Sequence, residues 1–130
     1  MTVGLSTANL ANKWLDMLAG TAFSAPGTTA VKLHTGDPGS AGTANASAET
    51  TRKALTWSAA SSGSKAITST LPSWTPWSAG SETISHISVW DATSGGNFLF
   101  SVALTVSKGV TNGDTLSLTS LTFALAPLAA

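Results

Sequence analysis

The sequence predicts a mainly β protein, an antiparallel β-sandwich or jelly roll that carries one N-terminal α-helix. Apolar residues recur at three- and four-residue spacing only before Gly20, and from there onward they alternate with polar residues. Turn sequences rich in Gly, Pro, Asn and Asp separate the alternating segments. Several short strands with frequent turns are typical of sandwiches and jelly rolls.

The helical spacing lies in residues 5–20. Its apolar stripe comprises Leu10, Ala11, Trp14, Leu15, Met17 and Leu18, which one face of a 3.6-residue helix collects. Ser6 or Thr7 is the expected N-cap, and Gly20 can adopt the left-handed conformation that commonly ends a helix. We expect the stripe either to cover an open end of the sheet domain or to dock on a partner subunit.

Six alternating segments are the predicted strands. They are Ala30–Thr35, Arg52–Ser58, Lys65–Leu71, Thr83–Trp90, Asn97–Val106 and Thr115–Leu125. The last one changes its apolar phase near Thr119–Ser120, which predicts a β-bulge or a switch between sheets. The helix lies within segment 1–22 and the sandwich within segment 23–130, and together they are expected to form one structural unit.

Three turn sequences stand out between these strands. They are Gly36–Gly39, Ser94–Asn97 and Asn112–Asp114, whose Gly and Asn residues tolerate positive φ. We expect the second and the third to close β-hairpins. Residues 36–48 are small and polar, which predicts a surface loop with some mobility.

The composition excludes several classes of function. Only 9% of the residues are charged, and the six basic side chains are scattered, so no nucleic-acid partner is expected. The chain has no cysteine and therefore no disulfide or thiolate zinc site. We expect neither a secretion signal nor a membrane span. Although the chain has 19 serines and 20 threonines, 42% of it is hydrophobic, which indicates a folded protein.

Catalytic residues, metal ligands and cofactors are not expected. The histidines are His34 and His86, and neither a Gly-x-Ser-x-Gly elbow nor a closely spaced histidine pair occurs. A hydrolase is the weakest alternative, because it would need His86 to meet a carboxylate in an open cleft.

Trp74 and Trp77 are candidate contact residues. They lie in the proline-stiffened segment Pro72–Trp77, which can present rings outward to a neighbouring subunit or to a sugar. The alternative is that one ring fills the core of the sandwich while the other covers its edge. For Trp57 and Trp90, which lie on predicted strands, we expect core packing.

Four segments of the chain resemble a known family. They are Val31–Gly39, Thr51–Ala60, Ile84–Leu99 and Val110–Leu116. The most specific blocks are Leu33-His-Thr-Gly-Asp-Pro-Gly39 and Trp90-Asp-Ala-Thr-Ser-Gly-Gly-Asn97. Together they resemble small virion structural proteins of tailed actinobacterial phages, often labelled tail fibre or minor structural protein. The resemblance implies a non-enzymatic protein, and no catalytic residue carries over.

A virion role suits this composition, because contacts within a particle stabilise a nearly uncharged fold. With one short helix and no repeat that would build a shaft, we expect a capsid decoration or head-surface subunit in preference to a tail fibre or minor tail subunit. A carbohydrate- or receptor-binding module is a further alternative.

The expected partners are the major capsid protein or tail proteins of the same virion, and further copies of the chain in a homo-oligomer, with a trimer predicted. The expected location is the particle surface, after synthesis in the cytoplasm of the bacterial host. The predicted interface residues are Leu10, Trp14, Leu18, Trp74 and Trp77.

Overall fold

The structure, a computed structural model, describes residues 3–68, 70–126 and 129. In chain order its elements are β1 (Gly4–Leu5), a π-helical turn (Thr7–Ala11), α1 (Asn12–Met17), β2 (Thr29–His34), β3 (Lys53–Leu55), β4 (Ser64–Ala66), β5 (Ser73–Trp74), β6 (Glu82–Trp90), β7 (Phe98–Val110), β8 (Leu116–Ser117) and β9 (Thr122–Ala124). All strand pairings among them are antiparallel. The predicted fold class, a mainly β protein with one N-terminal helix, is confirmed.

A five-stranded sheet with the order β1-β7-β6-β2-β3 forms the centre of the molecule. Two separate two-stranded ribbons, β4–β9 and β5–β8, accompany it. The chain changes ribbon between Ser117 and Thr122, because β8 pairs with β5 whereas β9 pairs with β4. This change confirms the switch that was predicted near Thr119–Ser120.

The two ribbons contribute to the hydrophobic core on one face of the central sheet. Leu33 of β2 lies opposite Ile87 of β6, so the two side chains share that face. Trp74 of β5 is buried in the same cluster, as are Ile67 and Leu121, which adjoin β4 and β9. The core therefore lies between two layers of strands, which is the sandwich arrangement.

The loop of residues 36–48 packs on the opposite face of the sheet. Its outer side is exposed as predicted, but Pro38, Gly42 and Ser47 are buried. Gly42 approaches the ring of Phe98 so closely that a Cβ atom built on it would lie 2.3 Å away. The backbone N–H of Ser47 also donates to the carbonyl of Leu33, at 3.1 Å. The loop therefore covers the sheet.

The helical segment is shorter than predicted. Ser6 is the N-cap, one of the two predicted candidates. Its carbonyl accepts hydrogen bonds from the backbone N–H groups of both Leu10 and Ala11, and this widens the first turn into a π-helix. The helix cannot begin at residue 5, because β1 pairs with β7 there. Gly20 has the expected left-handed conformation, with φ of 82°.

Only one of the two predicted hairpins forms. The turn at Ser94–Asn97 joins the paired strands β6 and β7. The prediction for Asn112–Asp114 is wrong, because β7 and β8 belong to different sheets. There the carbonyl of Asp114 accepts from the N–H of Trp77, and the carbonyl of Trp77 accepts from the N–H of Gly113, each at 2.8 Å. These bonds hold the turn against the segment that follows β5.

Three predicted strands are much shorter in the structure. Arg52–Ser58 reduces to β3, Lys65–Leu71 to β4, and Thr115–Leu125 to β8 and β9. Within the second of these, Ser69 lies outside the described residues. The two-residue strand β5 was not predicted, because its sequence lacks apolar–polar alternation and has a proline on either side.

Candidate interaction surface

The C-terminal end of α1 projects from the domain. All residues from 15 to 20, here called the helix tip, are exposed. Leu15, Met17 and Leu18 are 64%, 54% and 85% exposed, respectively. The apolar stripe predicted from the sequence is therefore buried only at its start, at Leu10, with Trp14 half-buried. Clustered exposed apolar side chains of this kind mark interaction sites.

A groove of about 580 Å³ lies beside the start of this helical segment. Four partly buried aromatic side chains line it, and we call it the aromatic groove: Trp14, Phe23, Trp57 and Phe123. The rings of Trp14 and Phe123 meet edge to face, with centroids 5.8 Å apart. The Nε1–H of Trp57 donates to the hydroxyl of Thr29 at 2.7 Å. These contacts hold the aromatic walls in place and leave the space between them open.

Among the described residues, Lys65 is the one charged residue that lines the aromatic groove. Its Nζ lies 5.9 Å from the ring centroid of Trp57, a cation–π distance. Within residues 3–68 and 70–126, no carboxylate forms an ion pair with the ammonium group of Lys65. In the same residues, no basic side chain forms an ion pair with Asp16 at the helix tip. The groove thus combines an apolar lining with one unpaired positive charge.

Trp74 and Trp77 face the interior of the domain. They are 2% and 1% exposed, and their Nε1–H groups donate to the carbonyls of Thr51 and Gly80, each at 2.9 Å. The prediction that this segment presents its rings outward is wrong, because both indoles find apolar contacts and a carbonyl partner within the domain. Neither ring can form a sugar-stacking platform in this structure.

The five predicted interface residues are therefore not brought together on one surface. Leu10 is buried with Trp74 and Trp77 in the hydrophobic cluster, whereas Leu18 and the half-buried Trp14 reach solvent. Sequence reasoning missed Phe23, Trp57 and Phe123 as groove residues. Their only signal was that they are aromatic, and nothing in their spacing places them together.

His34 is part of a buried polar network. Its Nδ1–H donates to the carbonyl of Ala44 at 2.8 Å, and its Nε2 accepts from the hydroxyl of Ser88 at 2.7 Å. Ser88 in turn accepts from the Nε1–H of Trp90 at 2.8 Å. Burial is the largest effect and lowers the pKa of His34 below its usual value, although the bond to Ala44 opposes this shift. His34 is therefore a neutral structural histidine.

In the described part of the chain, the second histidine meets a serine hydroxyl and no carboxylate. The Nδ1 of His86 lies 2.8 Å from the hydroxyl of its chain neighbour Ser85. Among the described residues, no group of three His, Asp or Glu side chains is placed to hold a metal ion. None of the described helices is long and apolar enough to cross a membrane.

The lowered pKa of His34 predicts a loss of stability in mild acid. Because the unfolded chain takes up a proton below about pH 6.5 and the folded chain does so only at lower pH, the free energy of unfolding should fall as pH drops below 6.5. The expected slope is up to about 1.4 kcal/mol per pH unit. Urea unfolding between pH 5.5 and 8 measures it.

His34→Gln should remove this slope, since glutamine can donate and accept hydrogen bonds but does not titrate. His86→Gln is the matched control and should keep the slope. An unchanged slope in His34→Gln would contradict the assignment of His34 as the titrating group.

The sequence was also compared with known proteins. The model of a family described as Podophage GP4 fiber I protein gp80 matches residues 4–125, which span every strand from β1 to β9. The search of curated proteins gave no match. The family match confirms the fibre part of the resemblance seen in the sequence, while the actinobacterial origin stays a prediction. The chain is thus a structural protein of phage particles and belongs to the podophage GP4 fiber I protein gp80 family.

Proposed function

We propose that the protein is a non-enzymatic subunit of a podophage tail fibre. The observation that carries this proposal is the family match over residues 4–125, which includes the complete described fold. The match supports the tail fibre, the second of the two placements considered from the sequence, over capsid decoration. We therefore replace the expected head-surface position with a position on the tail.

The fold suggests which part of a fibre this chain provides. Its only α-helix in the described residues has six residues, and its strands pair within the chain. A fibre shaft is built from coiled coils or repeats, and neither is found in the sequence. The chain therefore acts as a globular module that attaches to other fibre or tail proteins. Its proposed partners are tail proteins of the same virion and further copies of itself, with the trimer predicted above.

Electron microscopy of intact virions tests this position. Gold-conjugated antibodies raised against the purified domain should label the tail appendages and leave the capsid surface bare. The control is an antibody against the major capsid protein, which should label the head. Uniform labelling of the head by the antibody against this chain would contradict the tail-fibre proposal and favour capsid decoration.

A further inference from the structure

The helix tip presents apolar surface that its own domain does not cover. Leu15, Met17 and Leu18, at and just after the end of α1, remain exposed, although burial of their apolar surface would be favourable. The adjoining part of the same helical segment is held on the domain by Leu10 and Trp14. The end of α1 is thus an exposed apolar segment that the packing of Leu10 and Trp14 holds in place on the domain.

The aromatic groove is a site of matching character on the same chain. Leu55 and Phe100 form part of its lining between the aromatic side chains, and both are buried core residues. An apolar groove of this kind accepts leucine and methionine side chains, and the methionine sulfur makes favourable contacts with aromatic rings. Recognition of a helix by a hydrophobic groove is an established mode of protein association.

Charge complementarity favours the helix tip of a second copy over other apolar segments as the occupant of the aromatic groove. The helix tip carries one acidic residue, Asp16, and the aromatic groove carries one basic residue, Lys65. Within the described part of a single chain, neither is in an ion pair. The six acidic and six basic residues also cancel, so two copies approach without net repulsion.

We propose that the helix tip of one copy inserts into the aromatic groove of a second copy, with Asp16 facing Lys65 across the contact. Because the helix tip and the groove are different surfaces of one chain, the contact forms either reciprocally in a two-fold dimer or head to tail in a ring or an open stack. The proposal rests on the proposed function only in assuming that a fibre contains more than one copy of the chain.

Light scattering during size-exclusion chromatography tests the apolar part of the contact. Across a concentration series, the native chain should associate, and Leu18→Glu should weaken association by about 10- to 100-fold. Val106→Glu is the matched control. Val106 is also exposed, at 64%, but lines a different groove, between β7 and residues 116–122. The Val106→Glu variant should associate as the native chain does.

Charge-reversing substitutions test the pairing of Asp16 with Lys65. Asp16→Lys and Lys65→Asp should each weaken association about two- to fivefold, and a mixture of the two variant chains should regain part of it. Recovery in the mixture requires the two residues to meet between chains. Equal association of both single variants and the native chain would remove the charge pairing from the proposal.

Cysteine cross-linking gives the direct geometric test, because the chain has no cysteine of its own. Leu18→Cys in one preparation and Thr56→Cys, at the groove, in another should form a disulfide-linked heterodimer when mixed under oxidising conditions. Leu18→Cys mixed with Val106→Cys should not.

A native chain that stays monomeric at every concentration would overturn the proposal. Loss of association in Val106→Glu but not in Leu18→Glu would also overturn it.

Thermal unfolding provides a further check, because Leu18→Glu should leave the melting temperature of the monomer unchanged. A large decrease would show that Leu18 packs on its own domain. Antibody labelling of virions is independent of these results, so failure of this contact and failure of the tail-fibre function are distinguishable.

Discussion

Trp77→Ala should destabilise the domain by about 3–5 kcal/mol, a large part of the stability of a domain of this size. The side chain of Trp77 is 1% exposed, so alanine leaves a cavity in the core. The substitution also removes the donor that the carbonyl of Gly80 accepts from, and it loosens the backbone bonds of Trp77 to Gly113 and Asp114. Urea unfolding monitored by circular dichroism measures the loss.

Two controls separate these contributions. Trp77→Phe keeps most of the ring volume but loses the indole N–H, so its cost should be closer to about 1–2 kcal/mol. Leu18→Ala removes a large apolar side chain that is 85% exposed and should change stability by no more than about 0.5 kcal/mol. A Trp77→Ala loss as small as that of Leu18→Ala would restore the prediction that this ring faces outward.

Gly42→Ala should be the most damaging single-methyl change in the loop that covers the sheet. Gly42 has φ of 70°, which side chains other than glycine rarely adopt, and its missing Cβ would lie 2.3 Å from the Phe98 ring. Backbone strain and overpacking together should cost about 2–5 kcal/mol. The loss is measurable as a lower urea midpoint with an unchanged slope.

Gly95→Ala is the matched control for this change. Gly95 has a similar φ of 61°, but apart from its chain neighbours no atom of the described residues lies within 4 Å of the position of its Cβ. Only the backbone strain should remain, at about 1 kcal/mol. Combining Gly42→Ala with Phe98→Leu should recover part of the loss, because leucine can move away from the new methyl group. Equal losses at the two glycines would show that the loop does not press on Phe98.

Alternation predicted β2 and β6 to within one residue at each end, because one face of each packs on the core. It ended β7 at Val106, before the mostly exposed residues that extend this strand to Val110. It overestimated β3 and β4, which make three-residue pairings, and missed β5 altogether. In these short strands, partners distant in sequence decide the pairing, and local propensity is a weak guide. The phase change near Thr119–Ser120 was visible because two apolar sets, each facing the core, meet there.

The interaction surface was less predictable. The apolar stripe of the helix was evident from its spacing, but the sequence could not show that Leu10 is buried while Leu18 projects. The segment Pro72–Trp77 suggested exposed rings because prolines and an absence of alternation resemble a surface segment. The fold instead turns both indoles inward, where carbonyls of Thr51 and Gly80 accept from them. The aromatic groove joins residues that are far apart in the chain, including Phe23 and Phe123.

The copy number of the protein in purified virions tests its assignment as a tail-fibre subunit most directly. Quantitative mass spectrometry gives the molar ratio of this chain to the major capsid protein. A tail fibre is present in few copies on each particle, so we expect a ratio of a few per hundred. A ratio near one, or near a simple fraction set by the capsid lattice, would contradict the tail-fibre assignment and identify a capsid decoration subunit.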